Sequence, residues 1–363
     1  MRRRDMLLSG LAGGAMATSL AKPAIAQAMP EVKWRLTSSF PRQLDTIFGT
    51  AQQLAKLVGE ATDGRFQIQA FSAGEIVPGL QALDAVTSGA IECCHTPTYF
   101  YVGKDPTLGL GTGLPFGPNA RQQHSWWHFG GGEKIVNEAL AKFNAISFPA
   151  GNSGTQMGGW FRKEITSLED LKGLKFRIGG TGGAVLARIG VVPQQIAPGD
   201  IYPALEKGTL DAVEFVGPHD DEKLGFNKVA KFYYYPGFWE GGAMLHLCVN
   251  LEQWNRLPKH YQAVLMQACE SANNWMLAKY DSVNAPALKR LVSRGTELRA
   301  FPLPVVDAAF DAAKVVYAEY AAQNPLFAKG LESVNAYLGE VMPWWKIGEY
   351  SYDTINIRQR ERG

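Results

Sequence analysis

The chain has 363 residues, with 36 Lys and Arg against 34 Asp and Glu for a net charge of +2, and 46% of it is apolar. That balance suits a globular protein with a substantial core and speaks against a nucleic-acid or polyanion binder, as does the lack of a basic stripe interleaved with aromatics. Four cysteines are too few for a disulfide scaffold, and no run beyond the N-terminal stretch is long and apolar enough to span a membrane.

Residues 1–26 read as an export signal. Arg2-Arg3-Arg4, followed by Asp5-Met6-Leu7, fits a twin-arginine type, and an apolar Gly/Ala-rich stretch runs to Leu20. Ala24-Ile25-Ala26 fits the small-x-small cleavage rule, so the mature chain is expected to start at Gln27, in the periplasm. An ordinary secretory signal is the alternative reading of the same residues.

Val32–Thr37 alternates like a first strand. Asp45 is expected to cap a helix that places Ile47, Ala51, Leu54 and Val58 on one face and ends near Asp63-Gly64. Phe66–Ala70 reads as a second strand, Leu80–Ser88 as a helix and Ala90–Cys94 as a strand, a βαβ rhythm. Ala85–Glu92 has a counterpart in Ala204–Asp211: a helix end, a glycine, then a strand with an early acid. This points to two similar α/β lobes. Residues 27–150 are expected to form mainly the first lobe and residues 151–245 mainly the second, with a return near Trp239–Leu247. Residues 246–330 form a helical region bracing both, and residues 331–363 a C-terminal helix and tail. Cys93 and Cys94 are adjacent, a strained geometry for a bridge to each other. Buried free thiols are expected, with a bridge from Cys93 or Cys94 to Cys248 left open.

After Leu251 the pattern is helical. Val306, Phe310, Ala313, Tyr317 and Tyr320 make an apolar stripe. Asn324 and Pro325 suit the N-cap and first-turn positions of a further helix carrying Phe327, Leu331, Val334, Leu338 and Val341. The tail holds Trp344, Trp345, Ile347, Tyr350, Tyr352, Ile355 and Ile357. It packs on its own lobe or docks on a second copy, because such groups are costly to leave in water.

Three residues carry the candidate chemistry. Arg177 closes Leu174–Arg177 and precedes Gly179-Gly180-Thr181-Gly182-Gly183; Glu214 closes Leu210–Glu214; Gln156 stands nearby in sequence. A fixed guanidinium holds a carboxylate by two parallel hydrogen bonds, and a carboxylate with an amide oxygen holds a hard cation. Strand ends are where open α/β sheets bind ligands. No nucleophile–base pair accompanies them, so binding is expected and catalysis is not. Asn152, Tyr99, Tyr101 and Trp239 are further candidates for ligand contacts or walls, and Glu240 for a second metal carboxylate. Gly151-Asn152-Ser153-Gly154-Thr155 fails as a nucleophile elbow, since Thr155 stands where Gly is required. His124 and His128 are four apart, as zinc ligands on a helix often are, but Ser125 replaces the metalloprotease Glu and no third ligand is evident.

At these residues the chain resembles the solute receptors of tripartite ATP-independent periplasmic (TRAP) transporters, over nearly the whole mature sequence. Leu168–Arg177, followed by Tyr202–Ala212, carries the resemblance most densely. Glu214 with Gly217–Gly225 is similar to the branch that binds 2-oxo acids and related monocarboxylates. The resemblance implies a two-lobed periplasmic binding protein fold of the type II-like kind, with a long bracing helix and a helical C-terminal region. It implies a ligand carboxylate paired with Arg177. It also implies Na⁺ or Ca²⁺ bridging ligand and protein through Gln156, Glu214 and the carbonyl of Phe215. Where 2-oxo-acid receptors commonly have tryptophan, Phe215 stands here, which leaves a bulkier or aromatic carboxylate open as the ligand. Glu240 favours Ca²⁺ by charge. The implied partners are TRAP membrane permease subunits and a second copy joined through the C-terminal helix. A sensory receptor feeding a kinase is an alternative, and a zinc hydrolase built on His124 and His128 is the alternative from another class.

Overall fold

A computed structural model describes residues 29–362, so the export-signal reading and its cleavage point near Ala26 lie outside the described residues. From Val32 onward the chain forms one unit. It is built on eleven strands: β1 Val32–Ser38, β2 Phe66–Phe71, β3 Cys93–Thr96, β4 Ala145–Asn152, β5 Gly159–Phe161, β6 Lys175–Arg177, β7 Val192–Gln194, β8 Ala212–Val213, β9 Phe232–Tyr235, β10 Met244–Asn250 and β11 Glu297–Ala300. They make two sheets, in the orders β2-β1-β3-β10-β4 and β11-β9-β5-β8-β6-β7. β1 pairs parallel with β2 and β3, whereas β10 runs antiparallel between β3 and β4.

The chain leaves the first sheet after Asn152 and returns to it at Met244. It then crosses again through the helix Lys259–Ser293 to place β11 on the second sheet. That helix has 35 residues and at ~1.5 Å per residue reaches about 52 Å. It meets both layers: Asn273 accepts from Gly151 N at the end of β4, and Tyr280 donates to Asp220 beside the second sheet. β11 was not visible in the sequence, because Glu297-Leu298-Arg299-Ala300 is a short half-exposed edge strand with no apolar alternation.

The helix Ile47–Ala61 buries Ile47, Ala51, Leu54 and Val58 as expected, with Phe48 and Thr50. Burying a Leu or Phe side chain is worth about 1.5–3 kcal/mol, so such faces are what hold the helix to the sheet. Asp45 is not its cap. The N-cap is Thr46, without a side-chain cap bond. Asp45 instead accepts from His219 Nε2 at 3.0 Å, from Lys223 and from Lys279 Nζ at 3.3 Å. Two ammonium groups and an imidazole N–H outcompete the helix N–H groups. The expected stripe on Leu303–Gln323 is rotated by about one residue: Val305, Ala309, Ala312, Ala313 and Val316 are buried, while Phe310 is 45% exposed. Asn324 caps the next helix through Leu326 N and Phe327 N, with Pro325 in its first turn. From the end of that helix, Trp344, Ile347, Tyr350, Tyr352, Ile355 and Ile357 stay between 59% and 71% exposed, so these apolar groups do not pack on their own lobe, although Arg121 reaches Glu349 and the Trp345 ring.

All four cysteines are buried free thiols, with Cys94 and Cys248 directly opposite on β3 and β10. Beside them lie two fully buried histidines. His95 Nε2 faces Ala150 O at 3.0 Å and His246 Nε2 faces Gly111 O at 2.8 Å, and both Nδ1 atoms lack a partner. Burial pushes both pKa values down, to about 4, against the smaller upward pull of those carbonyls. The unfolded chain, titrating near ~6.5, therefore binds more protons between pH ~6.5 and ~4, and stability falls as pH drops through that window. From pH 7 to 4 the parent should lose about 3 kcal/mol more than His246→Gln in urea denaturation. Equal losses would show that His246 is not held neutral.

Candidate functional site

Between the two sheets lies a narrow cavity lined by Phe40, Tyr99 and Phe100 from the first, by Arg177, Phe215 and Val216 from the second, and by Ser153, Gln156 and Ala243 on the crossings. A larger groove on the helices Ile47–Ala61 and Lys259–Ser293, lined by Leu57, Ala61, Ala263, Val264 and Ala268, has no convergent charges and is not the candidate site.

Arg177 ends β6 and is 1% exposed. Nε donates to Ile196 O at 3.2 Å; Nη1 donates to Glu214 O at 2.5 Å and to Glu214 Oε2 at 3.3 Å. The guanidinium lies 5.6 Å from the centroid of the Phe215 ring. Nη2 makes no hydrogen bond among the described residues. The fork is thus aimed by backbone carbonyls and keeps one donor edge for a ligand.

Glu214 follows β8, also 1% exposed, and Glu240 sits on the return crossing at 3%. Burial pushes the Glu214 carboxyl well up, and the neighbouring Glu240 adds to this; Arg177 and the Gly179 N–H pull the other way. Burial also pushes Glu240 up, to about 7, with Arg177 opposing. Two buried carboxylates beside one guanidinium leave a net negative pocket, unfavourable unless a cation or proton joins it.

Gln156 stands between the two acids. Its amide oxygen lies 3.2 Å from Glu214 Oε1 and 3.2 Å from Glu240 Oε1, while Nε2 donates to Ser153 Oγ at 2.8 Å. With the amide turned over, its nitrogen donates to both carboxylates and its oxygen accepts from Ser153. With the oxygen inward, the three oxygens need a cation among them. Metal–oxygen bonds of about 2.3–2.4 Å in an octahedral arrangement give oxygen–oxygen edges of about 3.3 Å, so the spacing suits a hard cation the size of Ca²⁺ or Na⁺.

The other sequence candidates divide. Tyr99 and Phe215 line the cavity. Tyr99 also packs on the turn before the helix Gly180–Arg188, where a Cβ on Gly180, at φ +61, would lie 2.2 Å from the Tyr99 ring. That glycine is what lets the two layers approach. Asn152 ends β4 behind the cavity; its Oδ1 accepts from Gly154 N and its Nδ2 is buried without a partner. Tyr101 and Trp239 are not cavity walls. The Tyr101 hydroxyl meets Thr96 Oγ1 and Leu83 N in the first core. Trp239 donates to Gly158 O and packs on Phe176, Phe238 and Phe301 in the second. Their aromatic bulk finds apolar partners, and their polar tips find local carbonyl or hydroxyl groups. Sequence reasoning missed Phe40 and Phe100 as walls, and Ser153 as the residue that ties Gln156 to Ala243 N. The failed elbow motif marked that serine, but for the wrong chemistry. His124 and His128 lie outside this cavity, and Glu270 joins them there.

Two α/β sheets joined by crossings, with a buried guanidinium and converging oxygens between them, define a solute-binding receptor. The chain belongs to the bacterial extracellular solute-binding protein family 7, whose profile matches residues 37–324. The family consists of receptors and not enzymes, which removes the zinc hydrolase reading. A monocarboxylate 2-oxoacid-binding periplasmic protein of Nostoc sp. PCC 7120 is 46% identical over 360 residues, covering 98% of this chain and 99% of that one. A TRAP transporter solute-binding protein of Bordetella bronchiseptica RB50, solved with copurified calcium and picolinate, superimposes with a TM-score of 0.91 at 47% identity. The match covers 92% of this chain and 99% of that one. One from Pseudoalteromonas atlantica T6c, solved with sodium and pyruvate, gives 0.86 at 38% identity over 89% of this chain and 98% of that one. Among the described residues no helix is long and apolar enough to cross a membrane.

Proposed function

We propose that this receptor captures a monocarboxylate bearing a second donor on the α carbon, together with Ca²⁺ or Na⁺, and delivers it to a TRAP permease. The observation that carries this reading is the meeting of the Gln156 amide with the Glu214 and Glu240 carboxylates beside Arg177. Arg177 clamps the carboxylate, and Gln156, Glu214, the Phe215 carbonyl and Glu240 hold the cation. The ligands of the Bordetella and Pseudoalteromonas proteins, picolinate and pyruvate, share one chemistry. Each places a carboxylate oxygen and an α donor, pyridine nitrogen or keto oxygen, to chelate one cation. The aromatic walls Phe40, Tyr99, Phe100 and Phe215 favour a flat acid such as picolinate as well as a small 2-oxo acid. Binding closes the two layers about the crossings after Asn152 and before Met244. Residues 1–26 act as a twin-arginine export signal that delivers the chain to the periplasm.

The test is a thermal-shift screen of metal-stripped protein with pyruvate, lactate, picolinate and nicotinate, each with Ca²⁺, Na⁺ or neither. A ligand at a hundred times its Kd stabilises by about 2.7 kcal/mol. Pyruvate or picolinate should shift Tm only with a cation, and nicotinate, whose ring nitrogen is out of chelating reach, should not. Equal shifts from nicotinate and picolinate would remove the chelation reading. No shift from any acid, in folded ligand-free protein, would remove the receptor site itself.

The exposed apolar side chains of residues 344–357 support a homodimer formed through the C-terminal helix. Deleting residues 344–363 should convert a dimer to a monomer in light scattering while leaving acid binding intact. A parent that is monomeric at the same concentration would contradict this.

A further inference from the structure

We propose that His124, His128 and Glu270 form a second metal site, for zinc or a similar borderline divalent cation, separate from the site around Gln156. His124 and His128 lie on one face of the helix Ala120–Phe129, their ring centroids 4.6 Å apart. Glu270 reaches them from the long helix Lys259–Ser293. Its Oε1 is 3.1 Å from His128 Nε2 and its Oε2 is 3.5 Å from His124 Nε2. One ligand atom from each residue lies within 4.8 Å of the other two. Tetrahedral zinc, with bonds of about 2.0–2.1 Å, has ligand–ligand edges of about 3.4 Å. The two spacings run to different oxygens of the one carboxylate, and one ligand atom from each residue lies within 4.8 Å of the others, so rotation of the Glu270 carboxylate and the imidazoles brings the three ligands to that edge.

Two imidazoles and one carboxylate suit zinc and its transition-metal neighbours and disfavour Ca²⁺, which takes oxygen ligands. The side chains are 36%, 30% and 34% exposed, so an ion enters freely and water takes the fourth position. The Trp126 and Trp127 rings anchor one of the two helices in the first core. A bound ion therefore ties that helix to the long one, beside the point where the chain leaves the first sheet.

Asn273 limits the affinity. Its Nδ2 lies 3.2 Å from His124 Nδ1, and its Oδ1 accepts from Gly151 N at 3.2 Å. In the ion-free state His124 thus accepts at Nδ1 and carries its proton on Nε2. Metal ligation through Nε2 needs the proton on Nδ1, where it meets an amide NH₂ and not an acceptor. A carboxylate at position 273 would accept from both Gly151 N and His124 Nδ1–H, the orientation that strengthens ligating histidines.

Zinc chloride titrated into tag-free, chelator-stripped protein, held in excess Ca²⁺, should show one zinc per chain at a micromolar Kd. His128→Ala and Glu270→Gln should each weaken it at least about tenfold, and Asn273→Asp should tighten it by about tenfold or more. Glu214→Gln should leave it unchanged. Circular dichroism checks that each variant is folded, and calcium-dependent acid binding, read separately, reports on the other site. No zinc binding tighter than about 100 μM, which is about −5.5 kcal/mol, would overturn the proposal. So would the same affinity in His128→Ala and Glu270→Gln, or a failure of Asn273→Asp to tighten it.

Discussion

Arg177→Ala should lower affinity for a 2-oxo monocarboxylate by about 30-fold to several thousand-fold, the 2–5 kcal/mol expected when one partner of a buried charge-assisted pair is removed. The side chain is 1% exposed, and three of its hydrogen bonds go to Ile196 O and to Glu214. Its position is therefore fixed before a ligand arrives, so little ordering cost is added on binding. Arg177→Lys should lose less but still substantially, since an ammonium cannot offer two parallel donors. Loss of binding through misfolding has a different signature. Without the guanidinium, Glu214 and Glu240 keep each other company with no counter-ion, so the cation-free variant should be less stable. Calcium should then raise its Tm more than it raises the parent's. Acid binding lost with a larger calcium shift identifies the clamp. Unchanged acid affinity by calorimetry would sink it.

Much of this site was legible because it rests on short local patterns. Arg177 ends a strand and Glu214 directly follows one, and the two strands lie side by side as β6 and β8 in the second sheet. The first sheet was legible for the same reason: Val32–Ser38 and Phe66–Phe71 alternate, and Asn324-Pro325 names its own helix start. What failed depends on tertiary partners that no local window contains. Asp45 looks like a cap until Lys223, Lys279 and His219 arrive from two distant helices. Tyr101 and Trp239 look like pocket walls until the cores show that each has its own apolar nest and local polar partner. Glu270 stands more than a hundred residues from His124 and His128, so the third member of that cluster had no signal in their neighbourhood. The β11 edge strand is visible only from its parallel partner, β9.

Glu240→Gln should move the receptor's ion preference from calcium toward sodium. The charges in the pocket are Arg177 at plus one, Glu214 and Glu240 at minus one each, and the ligand at minus one. Ca²⁺ brings that sum to zero, whereas Na⁺ leaves one negative charge in a site that excludes water. With Gln at position 240, sodium reaches zero and calcium leaves a positive excess. Ligand charge count tunes calcium affinity over decades, so a drop on the order of 100-fold for calcium is expected, with sodium-dependent acid binding retained. Glu240 is the cleaner substitution of the two acids, because Glu214 also receives Arg177 Nη1 and its loss would disturb the clamp. The same change should act oppositely on the cation-free protein. Burial and Arg177 set the Glu240 carboxyl to titrate near about 7, so near neutral pH its ionised form is held at a cost beside Glu214. Replacing it with a neutral amide removes that repulsion. The variant should therefore melt higher than the parent without metal and lower than the parent in calcium. Melting curves that shift the same way in both conditions would mean that Glu240 does not share the cation with Glu214.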